Sequence, residues 1–338
     1  MKKVRSKDGT AIGFDRSGEG SPVVLVCGGS TDRSANAGVA ALLAPHFAVF
    51  NYDRRGRGDS GDTEPYAVQR EVEDLDAMIK EAGGSACVYG TSSGAALALE
   101  AAASGLAITK LALWEPPFIL EGTRPRPPTN QAQHYRELVA AGRRGDALEF
   151  FMTKVVGLPP EFAAQMRQSP WWSVGEGLAH TLAYDAEIMG DYSIPTRRAA
   201  AVKARTLVLD GGASPEWMHQ SAQALTAVIP GAQRRTLQGQ EHNVAPDVLA
   251  PALVEFLRRQ RLERRQDHEH RGRGRRGARR SSRAGIRARR SHRVRQWRRA
   301  LSRWLAAARV AESGIDTGPA LQGRAPSPMS FTLDEVYA

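Results

Sequence analysis

The chain has 338 residues, room for one large domain or two ordinary ones, and its 41% apolar residues suffice for a buried core. Its formal charge of +11 divides unevenly: residues 1–257 carry 25 Lys and Arg against 29 Asp and Glu, net −4, whereas residues 258–338 carry 22 Arg against 7 acids, net +15. The basic character therefore belongs to the tail, and no stretch approaches the roughly 18 apolar residues that a membrane helix requires. The first eight residues, Met1-Lys2-Lys3-Val4-Arg5-Ser6-Lys7-Asp8, are charged with no apolar run behind them, which argues against a signal peptide. Cys27 and Cys87 both sit in apolar runs and read as buried free thiols, pointing to the cytoplasm.

In chain order, residues 5–15 read as an edge hairpin turned at Asp8-Gly9. Apolar runs then predict strands at 23–27, 47–52, 86–89, 108–114, 206–210 and 233–237. Helical patterns lie between them at 36–44, 67–82, 95–104 and 216–229, with a last helix at 249–257. Such alternation predicts an α/β fold with a mostly parallel central sheet flanked by helices.

The alternation breaks over 119–198. Arg124-Pro125-Arg126-Pro127-Pro128 opens a loop, 131–141 and 146–156 look helical, and aromatics follow at Phe162, Trp171, Trp172, Tyr184 and Tyr192. A helical lid over the carboxyl ends of the strands is expected, set into a core made of 1–118 and 199–257. Its aromatics either form the lid's own core or, for Tyr135, Phe150, Phe151, Met152, Trp171 and Trp172 as a group, line a pocket.

Gly90-Thr91-Ser92-Ser93-Gly94 follows an apolar strand and precedes an alanine-rich helix, the G-x-S-x-G pattern in a strand–turn–helix setting. There the serine is held on a sharp turn with its hydroxyl clear of the sheet, and the flanking positions must lack bulk. Ser92 is the nucleophile candidate. Other polar residues also fall at strand ends: Gly28-Gly29-Ser30, Asp53 to Ser60, Glu115, Asp210 and His242. In an open parallel sheet that rim is where ligands bind.

These motifs, with Asp53-Arg54-Arg55-Gly56-Arg57-Gly58-Asp59-Ser60 and Gly239-Gln240-Glu241-His242, resemble the α/β-hydrolase fold family over about residues 8–257. The resemblance implies that His242 takes the proton from Ser92 and that backbone N–H groups of Gly29 and Ser93 form an oxyanion hole. It also implies that Asp53 to Ser60 is a bracing turn, with Asp53 and Arg54 making local hydrogen bonds. The family's usual aspartate would follow the penultimate strand, yet Gly211-Gly212-Ala213-Ser214 has serine there. Glu115 is the first choice for the acid and Asp210 the second. His46, His134, His180 and His219 lack comparable context, though the insert's pair, His134 and His180, could line the pocket.

The implied activity is hydrolysis of carboxylic esters, thioesters or lactones of small, moderately apolar substrates through an acyl-enzyme, with no cofactor and no metal. Alternatives are C–C bond hydrolysis or cofactor-free perhydrolysis on the same scaffold, or a weakened enzyme acting as a binding protein. The tail, 258–338, is too polar and unpatterned to pack, apart from one helix near 296–310. It is either a nucleic-acid contact, with His268 and His270 as metal candidates, or an out-of-frame extension. No membrane partner is expected.

Overall fold

The computed structural model describes residues 1–169 and 171–258. Eight strands form one sheet: β1 (Lys2–Arg5), β2 (Ala11–Ser17), β3 (Pro22–Val26), β4 (Ala48–Tyr52), β5 (Ala86–Thr91), β6 (Ile108–Trp114), β7 (Arg205–Gly211) and β8 (Gln233–Leu237). Their order is β1-β2-β4-β3-β5-β6-β7-β8. The first two make the edge hairpin, pairing Arg5 with Ala11, and β2 meets β4 antiparallel. From β4 to β8 every pairing is parallel, so their carboxyl ends share one rim.

Burial on both faces explains why β3 to β7 read as largely apolar runs, whereas β8 at the sheet edge is polar and only partly buried. Successive side chains point to opposite faces: Val24, Val26, Phe50, Val88, Leu111, Leu113 and Val208 enter one hydrophobic layer. Val23, Leu25, Val49, Tyr89, Ala112, Trp114 and Leu209 enter the other. Helices α2 (Val68–Glu81), α3 (Ser93–Ala103), α9 (Thr196–Ala199) and α10 (Glu216–Val228) cover the first layer. The second is covered by α1 (Ala37–Leu43) and α11 (Pro246–Arg258). Helix α11 starts three residues earlier than its apolar pattern predicts, because proline at the first helical position gives up an N–H that has no partner anyway.

Between β6 and α9 lie α4 (Gln131–Ala140), α5 (Arg144–Phe150), α6 (Pro160–Met166), α7 (Trp172–Leu178) and α8 (Leu182–Met189). The helix expected over 146–156 divides into α5 and a π-helical turn, Phe151–Val156, which Gly157 ends in the left-handed conformation. A third apolar cluster forms here from Tyr66, Tyr135, Leu138, Ala147, Leu182, Ala183 and Tyr184.

Among the described residues no helix is long and apolar enough to cross a membrane. The expectations for 258–338, including the helix near 296–310, lie outside the described residues apart from Arg258.

Candidate active site

Strand β5 ends at Thr91, and α3 starts at Ser93. The single residue between, Ser92, has φ 55° and ψ −128°, a conformation that costs a non-glycine residue about 1–3 kcal/mol. Its N–H donates to Trp114 O at 2.9 Å. The turn closes only because its flanks lack side chains. A Cβ on Gly90 would lie 2.5 Å from Gly94 O, and one on Gly94 would lie 2.2 Å from Cys27 O. Gly94→Ala therefore has to push β3 and α3 apart, and urea unfolding is expected to show a loss of about 1–3 kcal/mol.

Glu115 directly follows β6, buried, with φ 41°. Its carboxylate is divided between two partners. Oε1 accepts the Gly211 N–H at 2.7 Å, and Oε2 lies 2.7 Å from His242 Nδ1. The neighbouring Trp114 donates its indole N–H to His242 O at 2.9 Å. Imidazole ring and backbone are thus both held from the end of β6, and Nε2 is left as the ring nitrogen for proton exchange. Ser92 joins this group through the main chain of Trp114 rather than by a direct hydrogen bond to His242.

Asp210, the second choice for the acid, serves another histidine. It pairs with His219 Nδ1 at 2.6 Å, Arg234 Nε and Nη2 at 3.0 and 2.7 Å, and Thr236 Oγ1 at 3.1 Å. The reason is register: Asp210 stands opposite Thr236 in the ladder, and Arg234 shares that face two residues earlier. Glu115, and not Asp210, is therefore the carboxylate that meets His242. Ser214 is buried with its hydroxyl lacking a partner among the described residues.

Gly29 and Ser93 come together beside Ser92. A Cβ on Gly29 would lie 3.4 Å from Ser93 Oγ, and one on Gly28 would lie 3.1 Å from Ser92 Cβ. Neither the Gly29 nor the Ser93 amide donates to another described group. Ser93 stands at the first position of α3, where helix N–H groups have no intrahelical acceptor.

The next neighbour, Asp185 of α8, went unseen in the sequence. Its carboxylate accepts Ser93 Oγ–H at 2.8 Å, Arg54 Nη1 at 2.8 Å and Arg57 Nη2 at 2.9 Å to each oxygen. Arg54 also grips Glu71 with Nε and Nη2 at 2.7 and 2.8 Å. Two guanidiniums therefore face two carboxylates, all four side chains buried. At Asp53 the expected local hydrogen bond is the one accepted from Asp59 N–H at 2.8 Å, and a second, from Arg33 N–H at 2.8 Å, comes from outside the turn. Arg54 departs from the expectation: its bonds are long-range, not local. The signal available in the sequence was a lone aspartate in an apolar helix, Leu182-Ala183-Tyr184-Asp185-Ala186, facing a turn with more arginines than local acids.

Burial would push the Asp185 carboxyl up, but Arg57 and Arg54, with the Ser93 hydrogen bond, outweigh it and hold the group below its ordinary value. An unfolded aspartate titrates near pH ~3.9, so below that pH the unfolded chain binds the extra proton and stability falls. The contribution is complete above that pH and is lost as pH drops through the lower folded value. Acid unfolding followed by circular dichroism should show Asp185→Asn less stable by about 3–5 kcal/mol at neutral pH and less dependent on pH below about 4.

The aromatics of the insert divide. Tyr135 belongs to the insert's own core, and buried Trp172 donates its indole N–H to Glu176 at 3.0 Å. Phe150, Phe151, Met152 and Trp171 are half-buried. Tyr184 stacks on Tyr66 at 3.9 Å, next to the Asp185 cluster. Among the described residues no group of three or more His, Cys, Asp or Glu is placed to hold a metal ion.

Residues 23–255 match the alpha/beta hydrolase family, and the chain belongs to it. An alpha/beta hydrolase from Sphaerobacter thermophilus DSM 20745 is 56% identical, with a TM-score of 0.72 over 76% of this chain and 100% of that one. More distant likenesses, which bear on the fold, include a thermophilic esterase from Thermogutta terrifontis (23% identity, TM-score 0.57, 78% and 98% covered). The enol-lactonase from Burkholderia xenovorans LB400 is likewise 23% identical (TM-score 0.56, 76% and 99% covered). No curated protein matches the sequence.

Proposed function

We propose that this hydrolase cleaves small, moderately apolar carboxylic esters, thioesters or lactones through an acyl-enzyme on Ser92. The observation that carries the reading is the 2.7 Å contact between Glu115 Oε2 and His242 Nδ1, at the rim where the strained Ser92 turn also ends. His242 Nε2 accepts the Ser92 proton as Oγ bonds to the substrate carbonyl carbon, and the carbonyl electron pair moves onto oxygen. Glu115 holds the tautomer with its proton on Nδ1 and stabilises the imidazolium that forms. Gly29 and Ser93 N–H groups receive the oxyanion. When the tetrahedral centre collapses, the bond to the leaving oxygen or sulfur breaks and His242 returns the proton to it. Water then repeats the sequence on the acyl-serine and releases the carboxylic acid.

The esterase and enol-lactonase among its structural likenesses agree with this class of substrate. Two unpaired buried thiols, Cys27 and Cys87, agree with a cytoplasmic setting. The test is stopped-flow hydrolysis of p-nitrophenyl acetate and butyrate, followed by mass spectrometry of the quenched protein. A burst of nitrophenol with an acyl group on the Ser92 peptide is expected. Turnover without an acylated peptide, or neither signal, contradicts the reading.

A further inference from the structure

The oxyanion hole of the proposed reaction depends on the direction of two amide N–H bonds, and the following inference rests on that reading. Gly29 N–H shares a trans peptide unit with Gly28 C=O, so the two point in opposite directions in one plane. Arg57 Nη1 donates to Gly28 O at 2.6 Å and to Thr31 O at 3.2 Å. By holding the carbonyl on one side of the loop, the arginine fixes the direction of the N–H on the other. Two successive glycines give this loop unusual freedom, so a grip from outside the loop has to select one conformation. Arg57 is itself held by both oxygens of Asp185, and the same carboxylate takes the hydroxyl of Ser93, which carries the second N–H. A Cβ on Gly29 would lie 3.0 Å from Asp185 Oδ2, so the carboxylate fills the space a side chain there would need.

We infer that Arg57 and Asp185 are positioning residues for the oxyanion hole: one carboxylate on α8 aligns the Gly29 limb through the Arg57 guanidinium and the Ser93 limb through its own bond to the Ser93 hydroxyl. Neither residue touches the reacting atoms. Their effect is on the transition state, where the oxyanion exists, and far less on substrate binding.

The test compares the full chain with Arg57→Lys, Asp185→Asn and Ser93→Ala in p-nitrophenyl acetate hydrolysis and in inhibition by a trifluoromethyl ketone, which forms a tetrahedral adduct with the serine. Thermal melts establish which variants fold. Losing a whole oxyanion donor costs about 10²–10³ in kcat, so misaligning one should cost about 10–100-fold in Arg57→Lys and Asp185→Asn, with KM within about 3-fold. The ketone should weaken by the same factor as kcat/KM. Ser93→Ala keeps the amide and loses only the hydroxyl tie, and a kcat loss of about 3–10-fold is expected from it as a fraction of that range. It is also the mildest change, and it decides the question if the buried charges prove necessary for folding. Folded variants whose kcat stays within about 2-fold of wild type, or whose loss lies in KM alone, overturn the inference while the hydrolase reading stands. A wild type that neither turns over nor binds the ketone overturns both.

Discussion

Ser92→Ala is expected to lower kcat for ester hydrolysis by about 10⁶-fold, the loss seen when a serine nucleophile that acts as a unit with its base is removed. The adjacent Ser93 hydroxyl does not stand ready to replace it, since its Oγ is committed to Asp185. The same residue should reveal a conflict between function and stability. At φ 55° any side chain is strained, and Ser92 carries that strain to aim its hydroxyl off the turn. Ser92→Gly removes the side chain that opposes this conformation, so it is expected to raise unfolding stability by about 1 kcal/mol while abolishing turnover. Chemical denaturation of wild type, Ser92→Ala and Ser92→Gly measures this directly. A glycine variant less stable than the alanine variant would show that strain is not what the turn stores.

That turn was legible in the sequence because its chemistry is local. A strand, a sharp turn needing small neighbours and a helix all fall between Ala86 and Ala103, and Gly90 and Gly94 report the close approach on their own. His242 was legible from its place after the last strand. With serine at 214, the strand ends offered two candidate carboxylates, Glu115 first and Asp210 second, and the sequence alone left both open. The Asp185 cluster was beyond local reading: Arg57 and Asp185 stand 128 residues apart, and nothing in either neighbourhood names the other. The insert was also only half visible, because α6 and α7 have seven residues each, too few for an apolar period to emerge. Asp210 shows the opposite failure. Its strand-end position suited an acid for His242, but a carboxylate inside the ladder is claimed by the cross-strand partners that register gives it.

The second large effect is expected at Glu115. Glu115→Gln keeps the shape but presents either an amide N–H or a neutral oxygen to His242, so the tautomer and the imidazolium both lose support. A fall of about 10⁴-fold in kcat is expected, as in a triad whose acid is replaced by its amide. Asp210→Asn should instead leave kcat within about 3-fold of wild type and cost stability, because its losses fall on Arg234 and His219. The two variants measured side by side separate the carboxylates.

A third variant asks whether the acid can move. The turn after β7 is pinned against the stretch leading to His242, with Ala213 N–H donating to Gln240 O at 2.9 Å. Within it the Ser214 hydroxyl is buried without a partner among the described residues. A carboxylate at that position replaces a group whose hydrogen bonding is unsatisfied, in the turn where the family's usual aspartate would stand. Glu115→Gln combined with Ser214→Asp is therefore expected to recover at least about 10-fold of the activity that Glu115→Gln loses, whereas Ser214→Asp alone sets two carboxylates against one imidazole and lowers stability. Recovery in the double variant would mean that the end of β6 and the turn after β7 offer one histidine two interchangeable sites. No recovery, in a chain that still folds, would mean that only β6 can present the acid, since β6 also fixes the histidine backbone through Trp114.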